Sequence, residues 1–164
     1  MPGLQRPAGG PVRPAAGDPS SRAECASDGE KPLKDTNFEV VVGAGTLMSA
    51  AGSAVRFPHR WTPEGVTVEA DFTGAHLFHL AAAGCVLNDV YREAAALGVE
   101  LGGVRVTATG GFDTETWQST GIGYRVEVSS DAPAADVARI LDVVDEVAEI
   151  PRAIRAGAIV RRVT

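Results

Sequence analysis

The middle of the chain reads Leu77-Phe78-His79-Leu80-Ala81-Ala82-Ala83-Gly84-Cys85-Val86-Leu87. This run belongs to a longer segment, residues 74–97, that contains no proline, is rich in alanine and leucine, and stops before Gly98 as a helix does. Apolar residues occupy nearly every side of the predicted helix, which is typical of a helix buried in a core or at a subunit interface. We therefore expect Cys85 to be sheltered from solvent.

Strand patterns flank this helix on both sides. Five short segments alternate apolar with polar residues or are rich in valine: residues 38–42, 66–70, 104–109, 122–128 and 158–163. The two segments that follow the helix directly should pair as an antiparallel hairpin, joined by a polar loop at residues 110–121. The stretch between the first two strands is irregular, and we predict no element there.

A second helix follows Pro133 and is amphipathic. Its apolar residues recur at helical spacing: Val137, Ile140, Leu141, Val144 and Ala148. Pro151 breaks or restarts this helix, and Gly157 ends its last turn. The order of strands, buried helix, hairpin, amphipathic helix and strand predicts an α+β fold.

Composition limits the classes of protein to which the chain can belong. With 164 residues, 45% of them hydrophobic, it holds one ordinary core. Residues 1–36 are rich in proline, glycine and alanine, so we expect a disordered leader followed by one domain at residues 37–164. The net charge of -6 argues against nucleic acid as a partner, and no apolar run is long enough to span a membrane.

Two cysteines, Cys25 and Cys85, are too few to suggest a disulfide framework. Reduced thiols in a cytoplasm are the simpler interpretation, and a cytoplasmic location is therefore expected. Both lysines lie in the leader, so the expected domain has no amine for Schiff-base chemistry.

The segment from Phe78 to Gly98 and the valine-rich hairpin after it resemble the OsmC/Ohr superfamily, the osmotically inducible and organic hydroperoxide resistance proteins. In that family an alanine-rich helix carries a central cysteine. Ser129 to Pro133, the amphipathic helix and Ile150-Pro151 resemble the part of the family that leads to a second Cys-Pro. The resemblance covers residues 38–164 and implies an OsmC-like fold: antiparallel sheets with a long buried central helix, in an intertwined homodimer with its sites at the subunit interface.

The resemblance also implies peroxiredoxin-like chemistry. In the family's peroxidases the first cysteine attacks a hydroperoxide, the second resolves the sulfenic acid as a disulfide, and an Arg and a Glu position the thiolate. Cys85 matches the first cysteine, but Ile150 precedes Pro151 where the second cysteine belongs. Ala75 stands where the family places its Glu, and no Arg aligns with the family's Arg near Gly43 to Thr46.

Helical spacing places polar side chains beside Cys85. Asn88 and Asp89 follow it by three and four residues, and Arg92 lies one turn further on. The carboxylate of Asp89 disfavours a thiolate, while partial burial would suit this group to acid–base catalysis. An inert buried thiol and a solvated polar stripe remain alternatives.

An activated thiol needs a cation, and the candidates are Arg56, Arg152 and Arg155. Glu149 and Arg152 flank Pro151, near the place of the family's second cysteine, and we expect them to contribute to a site. A solvated helix end with weak ion pairs is an equally good interpretation.

Three histidines complete the list of candidates for a pocket. His76 and His79 are three residues apart on one helix face, and His59 lies in the irregular stretch. Such a pair is a weak signal for a metal site, so we expect no metal, and no motif for another cofactor is present.

Three functional hypotheses follow. In the first, Cys85 is the one cysteine of a thiol-dependent hydroperoxide reductase, with an external thiol as the reductant. In the second, a non-redox enzyme of small-molecule (secondary) metabolism uses Asp89, His79 or Glu149 for acid–base chemistry in a dimer-interface pocket. In the third, the chain is a non-catalytic protein that binds a small organic molecule.

Overall fold

The computed structural model describes residues 38–157. These residues form five strands and three helices: β1 Val40–Gly45, β2 Val55–Phe57, β3 Val66–Glu69, α1 Gly74–Ala96, β4 Gly103–Phe112, β5 Ser119–Ser129, α2 Ala134–Val147 and α3 Glu149–Arg155. The sheet and helices confirm a mixed α and β architecture. The predicted leader and the predicted last strand, residues 158–163, lie outside the described residues.

The strands form one antiparallel sheet in the order β2-β3-β1-β4-β5. Alternate residues of the two central strands face the same side, and most of them are small or β-branched: Val40, Val42, Ala44, Val104, Val106 and Ala108. All six are buried. This face of the sheet forms the core together with α1 and α2.

The helix α1 has the bounds that its composition predicts. Thr73 caps its first turn, since the Thr73 hydroxyl accepts a hydrogen bond from the His76 backbone N–H. Gly98 follows the last turn with φ of 67°, a left-handed conformation that glycine adopts without strain. None of the helices among residues 38–157 is long and apolar enough to cross a membrane.

One side of α1 is exposed within the single chain. Val86 and Val90 are fully buried in the core, whereas Leu77 is 38% exposed, and Ala81 and Asn88 on the same line of the helix are also exposed. Burial all round the helix, expected from its apolar composition, is therefore not reached by this chain alone.

The helices α2 and α3 meet at Ala148, whose ψ of 116° interrupts the helical backbone. α2 buries Ile140 and Val144 against α1. Pro151 is the third residue of α3, where a backbone N–H has no partner inside the helix and proline is tolerated. The expected break at this proline is therefore confirmed as the start of a new helix.

Two features of the sheet differ from the sequence prediction. β2 lies in the stretch predicted to be irregular, because a three-residue edge strand is too short to show an alternating pattern. β4 also extends beyond its predicted end, to Phe112, and β5 begins earlier than predicted, at Ser119. Both extensions contain glycines, which are typical of loops. The expected loop of residues 110–121 is correspondingly shorter.

Candidate functional site

The first turn of α3 places Glu149 beside Cys85 and Asp89 of α1. The Cys85 Sγ lies 3.6 Å from Asp89 Oδ2, one helical turn away, and 3.8 Å from Glu149 Oε2. The thiol has one proton and can donate it to one of these carboxylates at a time. The three residues predicted to carry chemistry thus lie together.

Arg92 joins the two carboxylates. Its Nη1 atom lies 2.6 Å from Asp89 Oδ1 and 3.4 Å from Glu149 Oε1, and its Nε atom lies 3.0 Å from Glu93 Oε1. The pairing with Asp89 follows from helical spacing. The contact with Glu149 depends on how α3 packs on α1, and no local sequence pattern contains that information. We call Cys85, Asp89, Arg92 and Glu149 the thiol cluster.

The electrostatics of the thiol cluster keep the thiol protonated. Burial raises the pKa of Cys85, and the charges of Asp89 and Glu149 raise it further, against the opposing effect of the Ile150 backbone N–H. Cys85 is half-buried, so the thiol is partly removed from solvent.

The two carboxyl groups of the thiol cluster differ in environment. Asp89 is only 4% exposed, and burial raises its pKa, although the Arg92 cation opposes this. Glu149 is exposed, and a hydrogen bond from its own backbone N–H, with a smaller contribution from Arg92, lowers its pKa. Glu149 is therefore ionised at neutral pH and in contact with the thiol, so it is available to accept the thiol proton.

The thiol cluster also contains a possible set of metal ligands. Single ligand atoms of Cys85, Asp89 and Glu149 lie within 4.8 Å of one another. Thiolate and carboxylate ligands suit Zn²⁺. Arg92 bonds the other oxygen of each carboxylate, Asp89 Oδ1 and Glu149 Oε1, and so offsets part of their negative charge.

His59 and Asn88 form a hydrogen-bonded pair one turn from Cys85. His59 Nε2 lies 3.1 Å from Asn88 Oδ1, and its Nδ1 lies 2.8 Å from the Thr62 hydroxyl. The ring also packs edge-on against Tyr91, with 5.4 Å between the centroids. The imidazole is thus fixed in position against α1, close to the thiol cluster.

His76 and His79 do not lie at the thiol cluster. They precede Cys85 by nine and six residues, which corresponds to about 14 and 9 Å along the helix. His76 Nδ1 lies 2.7 Å from the Thr73 hydroxyl. His79 is fully buried, and its Nδ1 donates to the Ala75 carbonyl over 2.7 Å.

The ring of His79 packs among three phenylalanine rings, Phe38, Phe78 and Phe112, with centroids 5.9–6.3 Å away. His76 and His79, which are predicted to be pocket residues, therefore lie away from the thiol cluster within this chain. The Phe38 ring packs against both imidazoles, with centroids 5.2 Å from His76 and 6.2 Å from His79.

Among residues 38–157, none of the three arginines expected near the thiol bonds to a residue of the thiol cluster. Arg56 is exposed on β2 and donates to the Glu64 carbonyl over 3.2 Å, and Arg152 is exposed on α3. Arg155 pairs with Asp145, with 2.8 Å between Nη2 and Oδ1. Arg92 is the cation of the thiol cluster, and it contacts the two carboxylates rather than the thiol.

Comparison with known proteins gives one family match. The sequence model described as OsmC-like protein matches residues 67–161. No curated protein matches the chain.

Solved structures that are similar to the chain include those of two OsmC-like proteins. An OsmC-like protein from Mycoplasma pneumoniae is 12% identical, with 68% of this chain and 92% of that one covered and a TM-score of 0.47. An OsmC-like hydroperoxide resistance protein from Jannaschia sp. CCS1 is 14% identical, with 76% of this chain and 92% of that one covered and a TM-score of 0.42.

Proposed function

The chain belongs to the OsmC-like protein family, and from this premise we propose that it is a one-cysteine, thiol-dependent reductase of organic hydroperoxides. One observation carries the proposal: the half-buried Cys85 thiol contacts the ionised carboxylate of Glu149, which Arg92 links to Asp89. A nucleophile in contact with a general base is the minimum that attack on a hydroperoxide needs.

The reaction begins when Glu149 accepts the thiol proton as the Cys85 sulfur attacks the terminal oxygen of the hydroperoxide. The O–O bond breaks, and the organic alkoxide leaves as an alcohol after taking the proton back from Glu149. Cys85 is then a sulfenic acid. Arg92 moderates the negative charge of the carboxylates during both transfers.

An external thiol completes the cycle. Ile150 occupies the position beside Cys85 where the family's peroxidases carry their second cysteine, so a resolving disulfide within this part of the chain is not formed. One external thiol condenses with the sulfenic acid and releases water, and a second displaces the mixed disulfide and restores Cys85. The net reaction converts one hydroperoxide and two thiols into an alcohol, water and a disulfide.

We further propose a homodimer, the assembly that the family resemblance implies. Leu77 and Ala81 form an exposed line on α1, and Val55 and Phe57 at the sheet edge are 54% and 49% exposed. Apolar surface of this kind is typical of an interface. A cytoplasm, with its supply of small thiols, suits the cycle.

Stopped-flow measurement of cumene hydroperoxide consumption tests the redox proposal. The reduced protein should consume hydroperoxide in the presence of dithiothreitol, whereas Cys85→Ser should not. Mass spectrometry should find a sulfenic acid or a mixed disulfide on Cys85. An unreacted thiol after exposure to excess hydroperoxide would contradict the proposal.

A second candidate is favoured by the raised pKa values of Asp89 and Cys85. Burial raises the pKa of the Asp89 carboxyl group toward neutrality, while the Cys85 thiol stays protonated, so Asp89 rather than the thiol suits acid–base catalysis on a small organic molecule. Turnover of small carbonyl compounds that survives Cys85→Ser and is lost in Asp89→Asn would support this function. Loss of such turnover in Cys85→Ser would exclude it.

A further inference from the structure

A cleft of about 380 Å³ lies between β5 and α3, apart from the side chains of the thiol cluster. Its walls are mainly apolar: Ile122 of β5, Pro151 and Ile154 of α3, and Ala82 of α1. The volume falls in the range of sites that bind small molecules, which are mostly apolar with a few polar groups.

A second cleft of about 390 Å³ adjoins the first, because Ile122 and Tyr124 line both. The two differ in charge. The charged residues that line the second cleft are Asp142 and Asp145, whereas Arg155 is the charged residue of the first. The cleft beside α3 is therefore suited to an anionic group, and the cleft beside α2 is not.

Arg155 is held at the cleft by Asp145. Its Nη2 and Nη1 atoms donate to Asp145 Oδ1 and to the Asp145 carbonyl over 2.8 and 2.9 Å. A guanidinium group has five N–H donors, and Arg155 also interacts with the Tyr124 hydroxyl, so at least two donors remain for another acceptor. The side chain is 52% exposed, which leaves these donors accessible.

Tyr124 fixes the same group from the sheet. Its hydroxyl donates to Asp145 Oδ1, so Asp145 links β5, α2 and α3. Burial and the Asp145 carboxylate raise the pKa of Tyr124 to about 12. The Tyr124 hydroxyl therefore stays neutral and adds no negative charge to the cleft.

We infer that this cleft binds a small molecule with an apolar body and a terminal carboxylate. The body lies between Ile122 and Ile154, and the carboxylate accepts hydrogen bonds from the free donors of Arg155. Binding at this cleft does not depend on the thiol reaction, so either proposal can fail alone.

Titration of the full chain with octanoate tests the inference, and 1-octanol is the uncharged probe of the same length. We expect saturable octanoate binding by calorimetry, with backbone amide shifts at Gly121, Ile122 and Ile154, and at least tenfold weaker binding of octanol. Cys85→Ser should bind octanoate equally well. Equal affinity for both probes, no saturation, or shifts confined to other regions would overturn the inference.

Two variants with opposite expected effects locate the carboxylate. Arg155→Gln should weaken octanoate binding about tenfold, while Arg152→Gln, on the same helix but outside the cleft, should not change it. Asp145→Asn keeps an acceptor for Tyr124 but removes the charge that competes for Arg155, and should tighten binding about two- to fivefold. Unchanged or weaker binding in a folded Asp145→Asn protein overturns the inference even if Arg155→Gln does not fold.

Discussion

Cys85 is surrounded by groups that oppose the loss of its proton. Two carboxylates lie within 3.8 Å of its sulfur, and the Arg92 cation reaches those carboxylates rather than the thiol. The pKa of Cys85 is raised, mainly by burial and then by these charges. Thiolate reactions of this residue should therefore accelerate as the pH rises through the alkaline range.

Glu149→Gln should separate the electrostatic effect of Glu149 from its role as a base. Removing its charge lowers the pKa of Cys85, so iodoacetamide should alkylate the thiol about two- to fivefold faster at neutral pH. Consumption of cumene hydroperoxide should fall in the same variant, because the proton acceptor is lost. Glu146→Gln, an exposed neighbour on α2, is the control for both rates. A parallel change of the two rates in Glu149→Gln would refute the assignment of Glu149 as the base.

The raised pKa of Asp89 should make the stability of the fold depend on pH. Its pKa is raised in the folded chain, chiefly by burial, so folding favours the protonated carboxyl group. The stability that it contributes is complete below the unfolded value of 3.8 and is lost as the pH rises through the folded pKa. The substitution Asp89→Asn should therefore be less unfavourable to the free energy of unfolding at pH 7 than at pH 3.

Urea unfolding of wild type and Asp89→Asn at the two pH values measures this difference. Asp136→Asn, in the exposed first turn of α2, is the control for removal of a surface carboxylate. A larger loss of stability in Asp89→Asn at pH 7 than at pH 3 would show that the ion pair with Arg92 outweighs burial.

At the scale of elements, the sequence predicts what depends on local patterns. The bounds of α1 follow from its alanine-rich composition and Gly98, and the restart at Pro151 follows from the chemistry of proline. The sequence does not predict β2, because three residues are too few to show an alternating pattern. It does not predict the ends of β4 and β5, because glycines are typical of loops. In the site, Asp89 follows from helical spacing with Cys85, whereas the Arg92–Glu149 contact requires the packing of α3 on α1.

Gly110 in β4 is glycine for a steric reason. A Cβ atom there would lie 2.5 Å from His79 Nε2 and would also collide with the Gly121 carbonyl oxygen. Gly110→Ala should destabilise the fold by about 1–3 kcal/mol. Gly123→Ala on the paired strand, where the nearest atom is 4.0 Å away, should cost much less. Thermal unfolding of both variants measures the contrast, and equal melting temperatures would contradict it.

At the scale of the whole molecule, the exposed line on α1 predicts association. Leu77→Glu would place a charge in the proposed interface, where burying it is costly, and should shift the protein from dimer to monomer in analytical ultracentrifugation. Arg139→Glu, an exposed substitution on α2, should leave the mass unchanged. A wild-type protein that sediments as a monomer at micromolar concentration would contradict the proposed assembly.

Ile150 beside Cys85 would limit the number of turnovers that one protein molecule completes before it is inactivated. In the proposed cycle, a sulfenic acid next to an isoleucine waits for a thiol from solution. Further hydroperoxide competes for it and oxidises it to a sulfinic acid, which ordinary thiols do not reverse. The number of turnovers before inactivation would then depend on the ratio of thiol to hydroperoxide around the molecule. Irreversibly oxidised chains would accumulate whenever the hydroperoxide exceeds the thiol.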